Sequence, residues 1–174
     1  ISGGEAAPHC EWTWAFQGCS NLIQAPLLAG WDTVTSVGAS FFSVTFKDCS
    51  SLVGLPSSFV FPQSITSVGA HFFNGTFIGS SNLKAFPEGF NLPQHVTLLP
   101  EAFAANMFYN CESLTSLPEG FNFPQKPTEA SNYVAASMFN RCSSLTKLPA
   151  GFNLPQNLTL VSDCFADSMF ESCT

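Results

Sequence analysis

Charge is scarce in this chain. Only 10% of its 174 residues are Asp, Glu, Lys or Arg, and 5 basic residues stand against 12 acidic ones, for a net charge of −7. Counterion release needs clustered Lys and Arg, and none cluster here, so a nucleic-acid partner is excluded. Tyr and Trp are also rare, at 2 and 3, whereas Phe numbers 19 and 45% of the chain is hydrophobic. A disordered chain has the opposite bias, rich in charge and poor in Phe. Long apolar runs are missing: mean hydropathy is +0.20, yet Pro, Gly, Ser, Asn or a charge interrupts each run before the roughly 20 residues that span a bilayer. No transmembrane helix is expected. There is no Cys-x-x-Cys, Cys-His cluster, Gly-rich phosphate loop, nucleophile elbow or zinc-protease motif, so the sequence gives no ground for an enzyme, a metal or another cofactor. The opening Ile1-Ser2-Gly3-Gly4 has neither an initiator Met nor a secretion-signal core, and we read it as the start of a mature chain or an excised fragment.

What is present is periodicity. In the pattern Phe-x-x-Cys-x-x-Leu-x-x-Leu-Pro, Phe falls at 16, 46, 77, 108, 139 and 170, at intervals of 30 and then 31 residues. Three residues on come Cys19, Cys49, Ser80, Cys111, Cys142 and Cys173, then Leu22, Leu52, Leu83, Leu114 and Leu145. Pro26, Pro56, Pro87, Pro118 and Pro149 close that half of the unit. The other half carries Phe59, Phe90, Phe121 and Phe152 in a Gly-Phe-Asn-Leu-Pro-Gln type segment, followed by a Thr column at 35, 66, 97, 128 and 159. At 18.7 kDa the chain is the size of one domain. We therefore read 1–174 as a single repeat domain: a partial cap over 1–15 with Trp12 and Trp14, repeats 16–45, 46–76, 77–107, 108–138 and 139–169, and the start of a further repeat over 170–174. Thr174 falls where another Leu-x-x-Leu-Pro strand is expected, which points to a longer array or an end docked on another subunit.

A strand cut off by Pro after three or four residues buries almost nothing alone and is stable only when stacked on copies of itself about 4.8 Å away. The expected fold is an α/β repeat solenoid, a leucine-rich-repeat-like horseshoe or right-handed solenoid. Each unit of about 31 residues supplies one short parallel strand, with short helical turns or loops on the outer face. Segments such as Ala104-Ala105-Asn106-Met107-Phe108 hold good helix formers and are expected to supply those turns. The Gly-Phe-Asn-Leu-Pro-Gln stretch is expected to lead away from the sheet while its Phe pins it to the core.

These columns resemble the BspA-type leucine-rich repeats of microbial surface proteins, chiefly in Thr66-Ser67-Val68-Gly69 followed by Phe-x-x-Cys-x-x-Leu-x-x-Leu-Pro. The likeness runs from about Phe16 to the end. It implies a surface-exposed protein associated with adhesion and host contact. The 31-residue unit is longer than the usual leucine-rich repeat of about 20–29.

Of the 7 Cys, those of the repeat column are expected to be buried free thiols acting as small hydrophobes, since Ser80 stands among them. Cys10 and Cys164 share a second, more variable column and lie too many rungs apart to bridge. The 3 His (His9, His71, His95) and the carboxylates Glu88, Glu119, Asp163 and Asp167 are dispersed and are read as surface groups. Stacked Thr admits an ice-binding reading, but β-branched Thr suits a short stacked strand anyway. Asn74 and Asn157 head Asn-x-Thr sequons, glycosylation sites in a eukaryotic secretory context.

The expected working surface lies between the two Leu columns, where side chains vary while the Leu do not. Its candidate partner-binding residues are Gln24, Val53, Lys84, Thr115, Ser116, Thr146 and Lys147. The expected function is a non-enzymatic extracellular or cell-surface interaction and adhesion module. Its partner would be a protein or glycan on a host or neighbouring cell. The alternative is a structural subunit that associates head to tail.

Overall fold

The computed structural model describes residues 12–26 and 33–173. It is a repeat solenoid in which equivalent residues of successive units face each other in parallel register. Strand β1 (Ser36–Val37) pairs with β2 (Ser67–Val68), and β3 (Glu129–Ala130) with β4 (Leu160–Val161), each at an offset of one repeat. Single parallel bridges join Gln24 to Gly54, Gly54 to Ala85, and Leu99 to Ala130. The hydrogen-bonded strands thus lie in the Thr-Ser-Val segment. The Leu-x-x-Leu segment, where the strand is expected, is held by isolated bridges. Its rung-to-rung bonds run from the Val53 amide to the Ile23 carbonyl at 3.5 Å, from Lys84 to Val53 at 3.2 Å and from Thr115 to Lys84 at 3.4 Å. The Pro that follows has no N–H with which to extend the ladder.

The expected helical turns are absent: no helix forms among the described residues. Over 40–49 the chain instead runs as successive turns whose amides alternate between two kinds of partner. Val44, Phe46 and Asp48 donate to Asn74, Thr76 and Ile78 of the next rung at 2.9, 2.8 and 2.7 Å. Between them, Thr45, Lys47 and Cys49 donate three residues back, to Phe42, Val44 and Phe46 at 3.4, 3.2 and 3.3 Å. An α-helix keeps every amide bond within its own segment, so it could not also stitch rungs together. Every fourth residue here is left-handed, as at Ser40, Val44 and Asp48 or Ala102, Asn106 and Asn110, and this backbone cannot continue a helix. Rung-to-rung bonding has overridden the helix propensity of Ala and Met.

The core is built from columns of rings. Phe16, Phe46, Phe77, Phe108, Phe139 and Phe170 stack nearly parallel, with centroids 5.4, 5.5, 5.8, 5.4 and 5.4 Å apart. Such pairs contribute about 0.5–1.5 kcal/mol each beyond their burial. A second column, Phe90, Phe121 and Phe152, stacks at 6.0 and 6.2 Å and anchors the Gly-Phe-Asn-Leu-Pro-Gln segment as expected. That segment is itself cross-linked by amides. The Asn122 side chain donates to Gly151 at 3.0 Å and accepts from Phe123 and Asn153 at 2.9 and 2.8 Å, and Asn91 and Gln94 make equivalent bonds one rung earlier.

Candidate interaction surface

The Leu columns fix which side chains face out. Leu52, Leu83 and Leu114 are fully buried, so a residue between them projects to solvent. Gln24, Val53, Lys84, Thr115, Thr146 and Lys147 are exposed, and Ser116 is half-buried. Val53, Lys84, Thr115 and Thr146 follow one another rung by rung, and Gln24, Ser116 and Lys147 share the neighbouring column. The surface changes character along the stack. Ile23 is 66% and Val53 49% exposed, whereas the later rungs present Lys, Thr and Ser. Ile23, Gln24, Val53, Gly54 and Leu55 line a shallow depression of about 420 Å³. The sequence signal for this depression is Gly54, which leaves a gap between two apolar neighbours; Ile23, Gly54 and Leu55 were not among the expected partner-binding residues.

The cysteine column has a second role beside filling space. The thiols of Cys49, Cys111, Cys142 and Cys173 donate to the carbonyls of Phe16, Phe77, Phe108 and Phe139 in the preceding rung at 3.1, 3.2, 3.1 and 3.0 Å. Ser80 donates to Phe46 at 2.7 Å in the same way. Ser80 was the sequence clue that the column wants a small donor. All the described cysteines are free. Burial, with the neighbouring Cys19 adding to it, pushes the Cys49 thiol up to about 11. Burial pushes Cys142 up to about 12 and holds Cys111 well above the ordinary range. These thiols are therefore protonated at neutral pH and are poor nucleophiles. Cys164 is exposed; Cys10 and His9 lie outside the described residues.

His95, Glu88, Glu119, Asp163 and Asp167 are exposed, as expected, and His71 is half-buried with its Nδ1 unbonded. Among the described residues no three His, Cys, Asp or Glu gather into a metal-binding group. The exposed Thr66 and Thr159 hydroxyls donate to Thr35 and Thr128 at 3.2 Å, so they serve the stack. Asn74 is half-buried, and the Thr76 hydroxyl of its sequon is buried against the Phe42 and Phe73 carbonyls. Asn157 and Thr159 are exposed, although the Asn157 Nδ2 donates to Gln125 at 2.8 Å. No helix among the described residues is long and apolar enough to cross a membrane.

No protein-family model matches the chain, and no curated protein matches it. Among solved structures it is similar to a leucine-rich repeat protein of T. pallidum, at 20% identity and a TM-score of 0.45, over 86% of this chain and 64% of that one. It is also similar to a leucine-rich repeat protein of Eubacterium ventriosum, at 17% identity and a TM-score of 0.47, over 93% of this chain and 40% of that one. A leucine-rich cell surface protein of Faecalibacterium prausnitzii shares 18% identity at a TM-score of 0.36, over 78% of this chain and 35% of that one. The chain thus spans about two-thirds or less of the length of each. It is similar to bacterial leucine-rich repeat proteins, the class whose BspA-type members its repeat columns resemble.

Proposed function

We propose that this chain is a non-enzymatic interaction module of a microbial surface or secreted protein. It binds a partner protein or glycan through the exposed residues between its Leu columns. One observation carries the reading: the buried Leu52, Leu83 and Leu114 recur from rung to rung, while the exposed residues that follow Leu in successive rungs run Val53, Lys84, Thr115 and Thr146. A constant scaffold presenting varied side chains builds an extended, specific surface. The ionised groups of this surface are Lys84 and Lys147, in a chain whose net charge is −7, and they favour ligands with anionic groups. An extracellular setting follows from the resemblance in the repeat columns.

The test is a binding screen against matrix proteins and glycans, followed by Lys84→Glu and Lys147→Glu in any hit. Both lysines are exposed, so the variants should fold as the parent does. Affinity should drop at least tenfold in the double variant. Unchanged binding would move the site to the turn-rich face or the amide-laddered segment.

A further inference from the structure

The shallow depression between the Leu columns sits where apolar side chains give way to cations. Ile23, Val53 and Leu55 supply its apolar walls, and Gly54, with no side chain, leaves the gap between them. Val53 has a rung on each side: its amide donates to Ile23 at 3.5 Å, and its carbonyl accepts from Lys84 at 3.2 Å. Its 49% exposure therefore owes nothing to either end of the chain. Gly54 is likewise bridged on both sides, to Gln24 and to Ala85.

In the rung after Val53 the exposed residue is Lys84, and two rungs further on Thr146 stands beside Lys147. The two outward columns, from Ile23 to Thr146 and from Gln24 to Lys147, hold these two cations and no carboxylate, although acidic residues outnumber basic ones 12 to 5 in the chain. Neither lysine is ion-paired among the described residues. An anion arriving here meets unpaired positive charge and displaces no carboxylate.

A sugar is a poor occupant of the depression, because hydroxyls pressed against Ile23, Val53 and Leu55 lose water and gain no partner from those side chains. An aliphatic side chain gains by the same burial. The rungs lie 5.5 Å apart at the Phe46–Phe77 ring pair, and two residues of an extended peptide cover about 6.6 Å. A peptide lying along the stack with one side chain over Gly54 therefore brings the side chain two residues away to the Lys84 rung, within reach of the flexible lysine stem.

Taking this face as the working surface, we infer that it binds an extended peptide with an aliphatic and an acidic residue two positions apart. The aliphatic side chain fills the depression over Gly54, and the carboxylate meets Lys84. The rest of the peptide crosses the Thr115 and Thr146 hydroxyls toward Lys147, which holds a second acidic residue.

The probe is a short fluorescein-labelled Ser/Gly peptide carrying Leu and Glu two positions apart, made in both orders and read by fluorescence anisotropy on the 174-residue chain. Gly54→Val fills the depression. Only the Ala85 carbonyl oxygen lies within 4 Å of a Cβ there, at 3.6 Å, and a β-branched residue suits a bridged position. Val53→Asp, at an exposed position, spoils the apolar wall and carries the decision should Gly54→Val fail to fold by circular dichroism. One order of the peptide should bind the parent, and either variant, or Ser in place of the peptide's Leu, should weaken binding about tenfold or more. Lys84→Glu should do the same. Failure of both peptides to bind would overturn the inference, while the lysine variants in the screen of matrix proteins and glycans decide the face independently. Binding that falls with Lys84→Glu but not with Gly54→Val or Val53→Asp would overturn the depression as the anchor and leave the face standing. Binding unmoved by all three would remove the face as well. A glycan held equally by the parent and Gly54→Val, with neither peptide bound, would replace the peptide as the ligand.

Discussion

The thiol of Cys142 donates to the carbonyl of Phe108, one rung back, at 3.1 Å. Because Ser80 makes the same bond to Phe46, Cys142→Ser should keep the bond and change stability by less than about 1 kcal/mol. Cys142→Val removes the donor and adds a branch to a filled column, at a cost of about 1–3 kcal/mol. Urea denaturation midpoints separate the two. Equal losses would mean that the column is only a space-filler.

Burial of the same thiols makes stability depend on pH at the alkaline end. An unfolded thiol ionises near its ordinary value of 9.0, whereas folded Cys142 ionises near 12. A raised folded pKa gives stability that is complete below the unfolded value and lost as pH climbs toward the folded one. The urea midpoint should therefore hold to about pH 8 and fall from about pH 9 upward. The fall should be shallower in Cys142→Ser, and an identical slope in the two proteins would contradict this assignment.

Gly69 has no room for a side chain. A Cβ there would lie 2.6 Å from the Ala39 Cα and 2.7 Å from the Gly38 carbonyl carbon, both backbone atoms of the preceding rung. Gly69→Ala should cost more than about 2 kcal/mol in thermal or chemical denaturation. Gly38→Ala, with nothing within 4 Å, is the control and should shift stability by less than about 1 kcal/mol. Equal effects would mean that the rungs do not approach this closely.

Asn122 separates donor from acceptor in the amide ladder. Asn122→Ala leaves the amide of fully buried Phe123 without its side-chain acceptor and should cost about 1–3 kcal/mol. Asn122→Asp keeps that acceptor and loses only the bond to Gly151, so it should retain most of the stability. If both variants lose the same amount, the acceptor role is wrong.

Repeat columns made the solenoid legible, because Phe, Leu and Pro recur at fixed offsets and only stacking buries them. The exposure of Gln24, Val53, Lys84 and Lys147 followed from their place between the Leu columns. The turn-rich face did not follow. Ala104, Ala105 and Met107 favour helix locally, and nothing in their identities shows that the next rung takes the amides at 102, 104 and 106. The amide ladder was hidden because Asn91 and Asn122 in a Gly-Phe-Asn-Leu-Pro context also read as turn residues.

Through-hydrogen-bond NMR couplings on isotope-labelled protein test the alternating ladder bond by bond. The amide nitrogens of Phe73, Gly75 and Phe77 should couple to the carbonyl carbons of Phe103, Ala105 and Met107 in the next rung. Couplings from those amides to carbonyls four residues back would instead show helical turns and contradict the rung-by-rung stitching described above.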